Sequence, residues 1–90
     1  MMASLDAYRL CVFGRANELV KTATAPSDIA DASLSECSGT FRDMERSNVL
    51  FFQNVTEGNI SAARTRDDTR RTVIALVVRE RELLAKKQDR

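Results

Sequence analysis

Cys11, in "RLCVF", and Cys37, in "LSEC", are the residues of this 90-residue chain whose type and spacing most readily carry chemistry. Two thiols set in separate helix-like stretches have two ordinary uses. They form a disulfide that staples adjoining helices, or they stay reduced and pack as small apolar side chains. A metal centre is not expected, because two cysteines with no histidine and no C-x-x-C spacing cannot complete a zinc site. Neither cysteine has an evident activating base nearby in sequence, which argues against a thiol nucleophile.

The other charged clusters carry less. The stretch "RTRDDTRR", 64–71, offers Arg64, Arg66, Arg70 and Arg71 as candidate anion contacts. Asp67 and Asp68 dilute that field, and no aromatic residue is interleaved for base stacking. The acid pairs Asp28/Asp31 and Asp67/Asp68 read as helix caps and solvated surface. There is no histidine, no glycine-rich phosphate loop and no G-x-S-x-G or H-E-x-x-H pattern. No catalytic residue and no cofactor are expected, so the chain reads as non-enzymatic. Two N-x-S/T sequons, at Asn54 and Asn59, matter only in a glycosylating host, and Asn54 borders an apolar run where a glycan would interfere with packing.

The elements that position these residues read as helices. With three glycines and one proline, the chain has few obligatory turns. Leu5, Tyr8, Val12, Ala16, Leu19 and Ala23 recur at spacings of three and four, which predicts a first helix over about 4–23 with Ser4 as N-cap. "TATAPS" breaks it, because Pro26 disfavours helix at Ala25. Ala30, Ser33, Leu34, Cys37, Phe41 and Met44 then form one stripe, predicting a helix over about 28–55 that is weakened or broken near Gly39. "TEGN" predicts a turn at Gly58. Ser61 can cap a last helix over 61–87, with Thr69, Val73, Leu76, Val77, Glu80, Leu83 and Leu84 on one face. The expectation is one all-α domain over 1–90, a three- or four-helix bundle that opens on an N-terminal helical hairpin.

In an antiparallel hairpin turning at Pro26, Cys11 and Cys37 reach similar heights, since one lies 15 residues before the proline and the other 11 after it. The geometry favours a staple, with two unpaired thiols as the alternative. The segment "YRLCVFGRANELV…IADASLSEC" resembles small exported bacterial helical proteins that carry one cysteine in each of two adjacent helices. The resemblance covers about a third of the chain, implies export and transfers no functional residue.

Charge is unevenly placed. Residues 1–60 carry five Lys/Arg against eight Asp/Glu, −3, and residues 61–90 carry nine against five, +4, which gives the total of +1. A basic last helix beside an acidic earlier one accounts for this without nucleic acid, whose partners are far more basic. The longest apolar run, "VIALVV", is too short to span a membrane. "MMASLDAYRL" lacks the pattern of a signal peptide, but its doubled methionine admits an expression start placed before a mature exported chain.

The runs 49–52 and 73–78 each present apolar side chains in several directions, more than a thin core covers. They predict a homodimer in which Val49, Leu50, Phe51, Phe52, Val73 and Val77 are candidate interface residues. The functional expectation is a periplasmic or secreted protein-binding module, such as an inhibitor, immunity factor or envelope adaptor. The alternative is a cytoplasmic regulator that uses its basic C-terminal helix on nucleic acid.

Overall fold

A computed structural model describes residues 2–88; Met1, Asp89 and Arg90, at the ends of the expected 1–90 domain, lie outside the described residues. The chain is all-α, with four helices and no strand among the described residues: α1 (Met2–Leu19), α2 (Pro26–Glu36), α3 (Ser38–Phe52) and α4 (Val55–Gln88). They make three rods rather than four, because α2 and α3 follow one another along α4 and meet each other little. The result is a bundle measuring 55 × 20 × 17 Å. Its length is that of α4, whose 34 residues at about 1.5 Å each span roughly 51 Å.

The helix ends follow local chemistry. α1 starts two residues before the expected cap, so Ser4 lies inside the helix, and its hydroxyl meets that of Ser47 on α3 at 2.8 Å. It ends at Leu19 rather than Ala23, because the Thr22 amide and hydroxyl both donate to the Leu19 carbonyl, at 3.0 and 2.7 Å. Pro26 is the first residue of α2 rather than a residue before it, where its missing N–H costs nothing and its φ suits the helix. Ala25 enters in extended conformation, φ −60° and ψ 144°.

The expected 28–55 helix is divided, but at Cys37 and not at Gly39, which sits within α3. Cys37 has φ −99° and ψ 22°, closing α2 and opening α3. Its amide is shared between the Ser33 and Leu34 carbonyls, and its own carbonyl accepts from the Phe41 amide and the Thr40 hydroxyl. The amide and carbonyl of Cys37 itself are therefore both satisfied at the kink.

α3 stops at Gln53, which takes the left-handed conformation (φ 52°, ψ 34°). Asn54 then caps α4: its side-chain oxygen accepts from the Glu57 amide at 2.9 Å. α4 therefore begins at Val55, not at Ser61, and the expected turn at Gly58 is instead the first turn of a helix. Gly58 is buried, and a Cβ there would lie 2.5 Å from the Val49 Cα and amide nitrogen. The missing side chain lets α3 and α4 close to backbone contact directly after their turn.

The core is narrow. Tyr8, Val12 and Ala16 of α1 and Val20 just past its end meet Ile29 and Ala30 of α2, Cys37, Met44 of α3, and Ala62, Val73 and Val77 of α4. Leu5, Leu19, Leu34 and Phe41 pack against it partly buried, so the first two predicted stripes face inward as expected, apart from Ala23, which lies exposed past the end of α1. The buried Ser33 and Thr69 hydroxyls donate to the Ile29 and Thr65 carbonyls of their own helices, each at 2.7 Å. Asn48 donates to Ser61 at 3.3 Å.

Candidate functional site

The staple comes first, because it fixes where α1 lies. Cys11 and Cys37 are bonded, with Cα atoms 6.0 Å apart. Cys37 is buried at the α2–α3 kink and Cys11 is half-buried on the flank of α1. One turn on, Arg15 bridges Glu18 in α1 and Glu36 in α2, donating from Nη2 to Glu36 Oε1 at 3.1 Å and from Nε to Oε2. The bond and the ion pairs hold α1 against the α2 side of the bundle.

On its opposite flank α1 meets α4 more sparsely, and Arg81 of α4 ties down the chain just past the end of α1 by donating to the Val20 and Thr22 carbonyls at 3.2 and 2.8 Å. Between the two helices runs a groove of about 380 Å³ lined by Phe13, Gly14 and Asn17 on α1 and Leu76 and Glu80 on α4, with Ala16, Val20, Val73 and Val77 beneath. The lining is apolar except for Asn17 and Glu80, and Leu76 is 43% exposed. A Cβ added at Gly14 would meet no atom within 4 Å, so nothing in the chain itself requires a glycine there.

A second apolar surface lies at the α3–α4 turn. Phe51 continues the inward stripe of α3, spaced from Met44 and Asn48 by seven and three residues, yet is 64% exposed. The cause is length. α1 begins opposite Ser47, so beyond that level only two rods remain. Leu50, Phe52 and Val55 are exposed beside Phe51, and the two phenyl rings stack edge to face with centroids 5.2 Å apart.

The six candidate interface residues therefore separate. Leu50, Phe51 and Phe52 are exposed, and Val49 is half-buried against Gly58. Val73 and Val77 are core residues, 0% and 3% exposed, at the floor of the groove. The helical period splits "VIALVV", sending Val73 and Val77 inward while Leu76 and Val78 stay exposed. Val73 also lies about 27 Å along α4 from Val55, so the two runs do not meet within one chain. The sequence missed Phe13, Asn17 and Glu80 as groove residues, because nothing local shows that α1 and α4 meet sparsely at that level.

The candidate anion contacts are on α4, and three of the four, Arg66, Arg70 and Arg71, are engaged with acids. Arg70 grips Asp31 of α2 through Nε at 2.7 Å and Nη2 at 3.5 Å, and this pairing holds the Asp31 carboxyl below its ordinary range. Arg71 pairs with Asp68, and Arg66 with Asp67 while lying 5.4 Å from the Phe41 ring centroid. Arg64 is exposed. Phe41 in turn packs at 5.7 Å on Tyr8, whose buried hydroxyl has no hydrogen-bond partner among the described residues. Burial pushes the Tyr8 hydroxyl pKa up.

Among the described residues no cluster of three or more His, Cys, Asp or Glu side chains is arranged to hold a metal. No helix among them is long and apolar enough to cross a membrane. No known protein family, characterised protein or solved structure matches the chain.

Proposed function

We propose that this protein is a non-enzymatic, exported helical module that works by holding another polypeptide in the groove between α1 and α4. The groove carries the reading. It is an apolar channel with two polar groups at its rim, its width is maintained by a disulfide and an ion-pair cluster on the far flank of α1, and a glycine stands on its edge. Such a channel suits the apolar stripe of an amphipathic helix, with anchors spaced three and four residues apart. Export is supported by the staple, because disulfides persist in oxidising compartments.

The test compares wild type with Leu76→Glu and Leu10→Glu, each expressed in its own cells and recovered after thiol blocking. Leu10 is an exposed leucine of α1 that does not line the groove, so its replacement controls for general loss of apolar surface. The expected result is a polypeptide retained by wild type and Leu10→Glu and lost with Leu76→Glu, from protein without titratable thiols. Reduced cysteines, together with salt-sensitive retention of duplex DNA that requires Arg64, Arg66, Arg70 and Arg71, would replace this reading with the cytoplasmic one.

A further inference from the structure

We infer that the occupant of the groove in the isolated protein is the α3–α4 tip of a second copy, docked reciprocally in an antiparallel, two-fold dimer. The inference rests on the groove reading and names its partner.

Each surface lacks what the other supplies. The tip displays Phe51 and Phe52 on a stripe that has run past the end of α1. The groove is an apolar slot bordered by Phe13 and Leu76. Both sit on one rod at different levels, the tip where α4 begins and the groove around Leu76. A two-fold axis crossing α4 near Thr65 and Arg66, midway between Val55 and Leu76, sets each tip at the level of the other copy's groove, in two identical contacts.

Charge selects the antiparallel orientation. From Met44 to Ile60 the chain carries Glu45, Arg46 and Glu57, one basic residue against two acidic, net −1. From Arg66 to Leu76, the part of α4 that this docking sets opposite, it carries Arg66, Asp67, Asp68, Arg70 and Arg71, three basic residues against two acidic, net +1. Antiparallel docking sets these opposite signs side by side, whereas parallel docking sets like against like.

Aromatic side chains bring about 150 to 250 Å² each, so the exposed parts of Phe51 and Phe52 with Leu50 and Val55 leave roughly 400 Å² of apolar surface at each tip. Gly14 fits the same picture. A mid-helix glycine costs about 1 kcal/mol relative to alanine, nothing in its own chain approaches it, and it stands on the groove edge where the incoming tip would pass.

Sedimentation equilibrium at tens of micromolar tests the dimer. The expected mass is about 20 kDa, twice the 10.1 kDa of the chain. Phe51→Glu, at the tip, and Leu76→Glu, in the groove, are both at exposed positions and should each raise the dissociation constant more than tenfold with unchanged helical circular dichroism. Mixing the two variants should restore part of the dimer, because one intact tip then meets one intact groove. A wild-type mass near 10 kDa overturns the inference, as does a dimer that survives both substitutions.

Anilinonaphthalene sulfonate separates this failure from that of the groove itself. Monomeric Phe51→Glu should bind the dye, and adding Leu76→Glu to it should remove most of that binding. A monomeric wild type, together with dye binding by Phe51→Glu that Leu76→Glu removes, refutes self-docking and leaves the groove standing. Monomers that bind no dye refute both.

Discussion

Alanine at two of the three helical glycines, Gly14 and Gly58, should change stability in opposite directions. At Gly58 a Cβ would lie 2.5 Å from the Val49 backbone and 2.6 Å from Val49 Cγ2, against an ordinary carbon contact of about 3.5 to 4.0 Å. The obstacle is backbone, so no rotamer change relieves it, and α3 must move away from α4 by about 1 Å at the tip. Overpacking of this kind costs about 1 to 3 kcal/mol, with the upper end apt here, and the gain in helix propensity returns about 1. The net loss is about 2 kcal/mol, a fall in melting temperature of roughly 8 to 16 °C for a domain of this size. At Gly14 the added methyl meets nothing, so only the propensity gain remains, a rise of about 4 to 8 °C. The assay is thermal unfolding followed by far-UV circular dichroism in the Phe51→Glu background, where self-association does not add to the midpoint. A Gly58→Ala protein as stable as its parent, or a Gly14→Ala protein less stable, would refute the described packing of α3 on α4 and the open edge of α1.

Reducing Cys11–Cys37, whose loop closes over a separation of 26 residues, should cost roughly 3.5 kcal/mol on the chain-entropy estimate and lower the melting temperature by more than about 10 °C; a shift within error would mean the staple constrains nothing. Tyr8→Phe removes a buried hydroxyl without a partner and should stabilise the fold by about 1 kcal/mol, read by denaturant midpoint at unchanged slope. The same substitution should reduce alkaline destabilisation: burial raises the Tyr8 pKa above 10.0 in the fold, so the folded state resists the ionisation that the unfolded chain undergoes, and stability falls as pH rises past about 10. Asp31 has the opposite sign. Arg70 lowers its folded pKa, so its contribution is present above the unfolded carboxylate pKa and is lost as pH falls through the folded one, and Asp31→Asn should flatten the stability profile below about pH 4.

Much of the architecture was legible from residue types at helical spacing. The stripe from Leu5 to Leu19 and the one from Ala30 to Met44 both face the core, and counting outward from Pro26 brought Cys11 and Cys37 to similar heights, with a modest offset. The rest depended on contacts distant in sequence. Gly39 looked like the weak point of the second helix, but the kink sits at Cys37, where the bond to Cys11 holds the backbone. Gly58 looked like a turn, because a glycine that admits a neighbouring helix and one that reverses the chain read alike. Asn54, four residues earlier, was the cap. "VIALVV" read as surplus apolar surface until the phase of α4 split it into core and exposed residues. The groove was invisible for a further reason: it depends on α1 being drawn toward α2 by its staple, and no spacing within α1 or α4 records that.

The claim that the groove between α1 and α4 holds a polypeptide is tested most directly by a photo-crosslinking amino acid placed at Leu76, with the same group at the exposed Ala32 of α2 as control. Irradiated in its own compartment, the Leu76 derivative should form a covalent adduct with a polypeptide. In the purified chain that adduct should have twice the mass, with the joined peptide mapping to residues 50–55 of the second copy. Adducts equal in yield from Leu76 and Ala32, or none from Leu76, would contradict the account.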